Sequence, residues 1–127
     1  MPHRLTILYG QPEDPAEFDR YYQDVHLPLA RRMPSLTGWT LNWTTDSPDG
    51  TTPEYRLIVD LYAPSKEAML AILDSPEGRA AAEDVGRFAT GGVTFLHGAE
   101  QTLMTVQHGS ATPVPSPEDG SEQSTEG

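Results

Sequence analysis

Eight residues from Tyr55 to Tyr62 constrain this chain more than any other stretch. They alternate as a β-strand does, with Tyr55, Leu57, Val59 and Leu61 on one face and Arg56, Ile58, Asp60 and Tyr62 on the other. Ile58 and Tyr62 make the second face partly apolar as well. A strand of this kind needs cover on both sides. Helices of the same chain can supply one cover, and the second points to another copy, so a homodimer joined through its sheet faces is expected.

The other elements follow from local patterning. Arg4 to Tyr9 is a short β-rich run closed by Gly10-Gln11-Pro12. Asp14-Pro15 opens a first helix, with Asp as a favoured N-cap, Pro tolerated at the first helical position and Glu17 placed for a capping box. Thr37 to Thr44 alternates, with Trp39, Leu41 and Trp43 on one face. Ser65 caps a second helix containing Ala68, Met69, Ile72 and Leu73, and it ends before Asp74-Ser75-Pro76. Glu77 to Phe88 reads as a further helical stretch. Gly91-Gly92 marks a turn into a last strand from Val93 to about Met104. The order strand–helix–strand–strand–helix–strand predicts a ferredoxin-like βαββαβ fold of the α+β class, a four-stranded antiparallel sheet with helices on one side.

The chain of 127 residues has room for one domain. Residues 1–104 form the folding unit in this reading. Residues 105–127, made of Pro, Ser, Gly and acid with little to bury, read as a disordered tail. Four of the 19 acidic residues fall in that tail with none of the 8 basic ones, so both parts are acidic. The net charge of −11 disfavours nonspecific binding to nucleic acid or to an anionic membrane. With no cysteine, thiolate catalysis, disulfides and cysteine-ligated metals are excluded. No secretory leader or membrane-length apolar run is present, and a cytoplasmic protein is expected.

The first helix carries the chemistry. Phe18, Tyr22, Val25, Leu29 and Met33 recur at spacings of four, three, four and four, one face of a helix running to about Arg32. His26 lies at the edge of that stripe, one turn after Tyr22, where a group titrating near neutral pH could move protons. Pro28 offers a competing explanation. It lacks an N–H, so the Asp24 carbonyl loses its helical partner, and a nearby side chain could be needed there.

The run His26-Leu27-Pro28-Leu29-Ala30-Arg31-Arg32-Met33-Pro34, with Phe18-Asp19-Arg20-Tyr21-Tyr22 before it, resembles the helix signature of the EthD family. Asp74-Ser75-Pro76-Glu77-Gly78 and Phe88-Ala89-Thr90-Gly91-Gly92-Val93-Thr94 resemble its later motifs. Together they span nearly all of residues 4–104. The resemblance implies a dimeric α+β barrel with small-molecule pockets between sheet and helices. It also implies activities in ether and aromatic catabolism, lactone isomerisation, or dehydration and cyclisation of polyketide intermediates. A lactone-isomerising branch of similar fold places a histidine on this helix, and that role falls to His26. Where members often carry Gly after the second proline of the motif, this chain has Ser35.

These readings make His26 and Tyr22 the candidate catalytic pair, and Phe18, Leu29, Trp39, Trp43 and Tyr62 the candidate substrate contacts. Each aromatic also has a plain core role open to it. Asp60 reads as the partner of a base such as Arg56, and His97 as a hydrogen-bonded sheet residue or a second proton-transfer group. No spacing supports a metal site or a nucleotide-binding loop, so no cofactor is expected. The expected function is cofactor-independent isomerisation, cyclisation or dehydration of a small, largely apolar or aromatic metabolite. The alternatives are a binding protein serving an oxygenase and a monooxygenase-like or reductase redox enzyme.

Overall fold

The structure is a computed structural model and describes residues 1–107. Strands β1 (His3–Gly10), β2 (Gly38–Trp43), β3 (Tyr55–Ala63) and β4 (Val93–Ala99) form one antiparallel sheet in the order β2-β3-β1-β4. Helices α1 (Pro15–Tyr21), α2 (Leu27–Ala30), α3 (Lys66–Asp74) and α4 (Pro76–Val85) complete the ferredoxin-like α+β arrangement, and α1 and α2 are joined by a π-helical turn over Tyr22–His26. The greater part of the tail reading, residues 108–127, lies outside the described residues.

The sheet obeys the alternation in its sequence. Leu5, Ile7 and Tyr9 of β1 and Leu57, Val59, Leu61 and Ala63 of β3 point into one buried core, where Phe18, Tyr22, Met69, Ile72, Val85 and Phe88 meet them from the helical layer. Each of the Val, Leu, Ile, Phe and Met side chains among them contributes about 1.5–3 kcal/mol when fully buried. Register pairs Leu8 with Ile58, Thr6 with Asp60 and Arg4 with Tyr62 on the opposite face. Their half-exposed side chains and the exposed Leu96 leave that outer face without a helix over it.

Four boundaries and partners differ from the sequence reading. Strand β4 stops at Ala99 because its partner strand ends there, with His3 opposite Ala99. Asp14 does cap α1, accepting from the Glu17 N–H at 3.2 Å, but the Glu17 carboxylate turns to Arg20 instead of closing a capping box. Asp60 pairs with a base as expected, but the base is Arg4 at 3.7 Å, with the Thr6 hydroxyl also donating at 2.5 Å, while the long Arg56 side chain reaches Asp19 on α1. Val25, placed on the buried stripe by a strict helical repeat, is 39 % exposed, whereas His26 is buried.

The π turn explains the last difference. Pro28 gives the Asp24 carbonyl no donor, and its ring crowds that carbonyl. The backbone widens one turn earlier, where the Leu27 N–H donates to the Tyr22 carbonyl five residues back. One extra residue per turn rotates the following positions, so the buried series becomes Phe18, Tyr22, His26 and Ala30, each four residues on. Such single π turns recur at functional sites.

The two later motifs are close-packing devices. Ser75 accepts from the Gly78 N–H at 3.1 Å and donates to the Ile72 carbonyl, welding α3 to α4. A Cβ at Gly78 would stand 2.3 Å from that carbonyl oxygen. Gly91 passes the Gln11 backbone equally closely, its Cβ position being 2.1 Å from the Gln11 carbonyl, and Gly92 takes a positive φ of 91°. Ser35 also has a positive φ, 67°, which accounts for glycine being the residue suited to that place.

Candidate active site

Between the sheet and the helical layer lies an apolar cavity of about 50 Å³. Leu5, Ile7 and Tyr9 from β1 and Val59 and Leu61 from β3 form its floor. Tyr22, His26, Ala30 and Met33 form one wall, residues of α3 and α4 another, and Trp39 and Phe95 come from the two edge strands. Phe95 is 47 % exposed and stands at the rim. A cavity of about 150 Å³ is what encloses benzene. The enclosed room here is about a third of that.

His26 reaches this cavity through the π turn and is held from behind by α4. Its Nδ1 lies 3.0 Å from the Asp84 carboxylate, and both side chains are almost wholly buried. Asp84 also accepts from the Tyr21 hydroxyl at 2.8 Å and from the more exposed Arg87 at 3.3 Å. Burial pushes the Asp84 carboxyl up, but the bonds from His26 and Tyr21 and the proximity of Arg87 outweigh it, and its pKa ends below the usual carboxylate value. An ionised carboxylate only accepts, so the bond places a proton on Nδ1. Burial holds the imidazole below its ordinary value, against the bond and charge of Asp84 that pull it up. The resulting neutral ring carries its lone pair on Nε2, a base in an apolar enclosure. Phe88 packs on the ring with centroids 4.7 Å apart, and Tyr22 at 5.2 Å.

Tyr22 and Tyr9 are buried phenols whose pKa values burial drives well above the usual range, so both keep their protons. Trp39 contributes a different kind of group. Its indole Nε1 is shielded from solvent and has no hydrogen-bond partner among the described residues.

The residues singled out in the sequence separate into two sets. His26, Tyr22 and Trp39 line the cavity together. Phe18, Leu29, Trp43 and Tyr62 are not among its lining residues. Phe18 and Trp43 pack against each other and against Tyr22. Leu29 is turned aside by the shift in helical phase, and Tyr62 belongs to the outer sheet face, beside Gly38. His97 does not approach His26. Its Nδ1 meets Nε2 of His3 at 2.9 Å, near the other end of β1. Asp84 was missed by the sequence reading. Its signal is an acid within the stripe Gly78, Ala81, Val85 and Phe88, all buried, on a helix whose small residues make that stripe faint. Among the described residues, no group of three or more His, Cys, Asp or Glu side chains is placed to hold a metal ion, and no helix is long and apolar enough to cross a membrane.

The comparisons agree with the fold. The family model "EthD domain" matches residues 10–92. An uncharacterized 11.0 kDa protein from the thcB-thcC intergenic region of Rhodococcus erythropolis is 41 % identical over 102 residues, which cover 80 % of this chain and 98 % of that one. The crystal structure of an EthD (ethyl tert-butyl ether D) family protein from Bacillus halodurans C-125 superposes with a TM-score of 0.74 at 32 % identity, covering 80 % of this chain and all of the other. A dimeric ferredoxin-like protein of unknown function from Thermobifida fusca YX shares the fold alone, with a TM-score of 0.59 at 15 % identity over 79 % of this chain and 92 % of its own. By the extent of the domain match and the identity to its Rhodococcus relative, this chain belongs to the EthD family.

Proposed function

We propose that this protein is a small-molecule enzyme in which His26 moves a proton on an apolar or aromatic ligand held between sheet and helices. The reaction class is isomerisation, cyclisation or dehydration. The observation that carries the reading is the buried His26–Asp84 bond, which directs one imidazole nitrogen to a carboxylate and leaves the other basic. A base so placed takes a proton from a C–H or O–H next to a carbonyl and returns it elsewhere on the same molecule. Such positioned proton transfer contributes about 10²–10⁴-fold to rate.

A second copy covering the outer sheet face belongs to the same proposal. The Thermobifida fusca neighbour is described as dimeric, and here Leu8, Ile58, Tyr62 and Leu96 leave a partly apolar face without a helix. Sedimentation analysis of the full chain should give twice the monomer mass, and a monomer at micromolar concentration contradicts it.

The catalytic reading is tested by following solvent deuterium entering a panel of lactones, aromatic ketones and β-dicarbonyls by NMR. At least one compound should exchange faster with protein than without, and His26→Ala should lose that acceleration. Undiminished exchange in the variant overturns the assignment of His26. Binding without exchange across the panel would make the protein a carrier instead.

A further inference from the structure

The polar-bearing side chains of the cavity lining are the His26 imidazole, the Tyr9 and Tyr22 phenols and the Trp39 indole. Trp39 Nε1–H is a donor, closed off from solvent, with no acceptor among the described residues. A buried donor left without a partner is unfavourable, and one that gains an acceptor from a ligand recovers affinity on the order of 10-fold. Trp39 lines the cavity together with His26, Met33 and Phe95. The lining has a second property. No Lys, Arg, Asp or Glu side chain contributes to it. A carboxylate or phosphate entering there would give up its water and find no cation, a heavy desolvation penalty.

We infer that Trp39 selects the ligand class of this site, its indole N–H donating to the carbonyl oxygen of a neutral compound, so that ketones, lactones and quinones are admitted and carboxylates are turned away. The inference rests on the cavity being the ligand site, as proposed above, and not on His26 being catalytic. A carbonyl oxygen is a pure acceptor, so its bond to the indole N–H needs no second partner in the cavity. With the oxygen held at the edge strand β2, the ligand's adjacent C–H or O–H falls within the enclosure that His26 shares. Trp39 is then a specificity residue acting directly on substrate, and Trp43, four residues along on the same strand face, packs against the core.

Three probes of nearly one shape separate the terms: acetophenone, ethylbenzene and benzoate. Full-length protein is titrated with each and observed through the indole N–H signals in ¹H–¹⁵N spectra, with Trp43→Phe identifying the Trp39 signal. Acetophenone should move that signal downfield and bind about 10-fold more tightly than ethylbenzene, which lacks the acceptor, and more tightly still than benzoate. Trp39→Phe should bind acetophenone and ethylbenzene alike. The shift in the otherwise wild-type protein keeps the test decisive if Trp39→Phe fails to fold. Benzoate binding as tightly as acetophenone, acetophenone binding undiminished in Trp39→Phe, or no acetophenone binding at all overturns the inference. Repeating the titration with His26→Asn distinguishes the two proposals. A retained Trp39 shift supports this one whatever becomes of proton exchange.

Discussion

Two histidine pairs sit in this small fold, and they differ in what stands on the far side of the ring. His26 is sealed between helices and sheet, and its Nδ1 meets a carboxylate that three donors keep ionised. His3 lies near the opposite end of the sheet and meets another imidazole, that of the exposed His97. Both His26 and His3 are held below the ordinary histidine pKa, chiefly by desolvation. The secondary influences run oppositely. Asp84 pulls His26 back up, whereas His97 and Lys66 push His3 further down and Glu67 only partly opposes them. A low pKa alone therefore does not mark a site. What sets His26 apart is the carboxylate at its Nδ1 and the cavity that its ring lines.

The largest expected effect lies in the first pair. His26→Ala should lower ligand proton exchange by about 10²–10⁴-fold, while His3→Ala leaves it unchanged. Equal losses would erase the distinction. Asp84→Asn keeps the shape but removes the charge, and exchange should fall by roughly 10-fold or more as the ring loses its fixed tautomer. The His26 pKa, followed by NMR, should drop further in that variant, because the interaction that raises it is gone.

A backbone change reaches the same pair indirectly. Gly78→Ala forces α4 away from the Ile72 carbonyl, and Asp84 travels with α4. Overpacking of this kind costs about 1–3 kcal/mol, read from denaturant unfolding. The smallest effect belongs to the second pair. His97→Gln should change stability by no more than about 1 kcal/mol and leave exchange untouched.

Acidification acts on both pairs in one direction. An unfolded histidine takes up its proton around its ordinary value of 6.5, and His26 and His3 do so only at lower pH when folded. The unfolded chain thus binds more protons in that window, and stability falls as pH drops below 6.5. Asp84 adds a further loss as pH falls below its ordinary value of 3.8, since its folded pKa is depressed. His26→Gln should flatten the upper part of the curve by the His26 share, and His3→Gln by the remainder.

How far each pair was legible in the sequence follows from how local its causes are. The sheet was readable because β3 repeats every second residue and nothing interrupts it. The first helix was readable as a helix, but its buried face was misjudged at Val25, because a strict 3.6-residue repeat cannot show a π turn. The proline that causes the turn was in view, and its phase shift was not. Asp84 stayed hidden because its meaning depends on His26, 58 residues away. The His3–His97 contact spans 94 residues and needs the pairing of β1 with β4 to become visible. Tyr62 was counted among the substrate contacts although its strand parity, legible in the sequence, puts it on the outer face.

The central claim concerns one proton on one ring. Long-range ¹H–¹⁵N spectra of the full chain at pH 7 report directly which nitrogen of His26 carries it, with His26→Gln identifying the signal. A neutral ring protonated on Nδ1 and bare on Nε2 is expected, a state that Asp84→Asn disturbs. A ring protonated on Nε2, or an imidazolium at that pH, would contradict it.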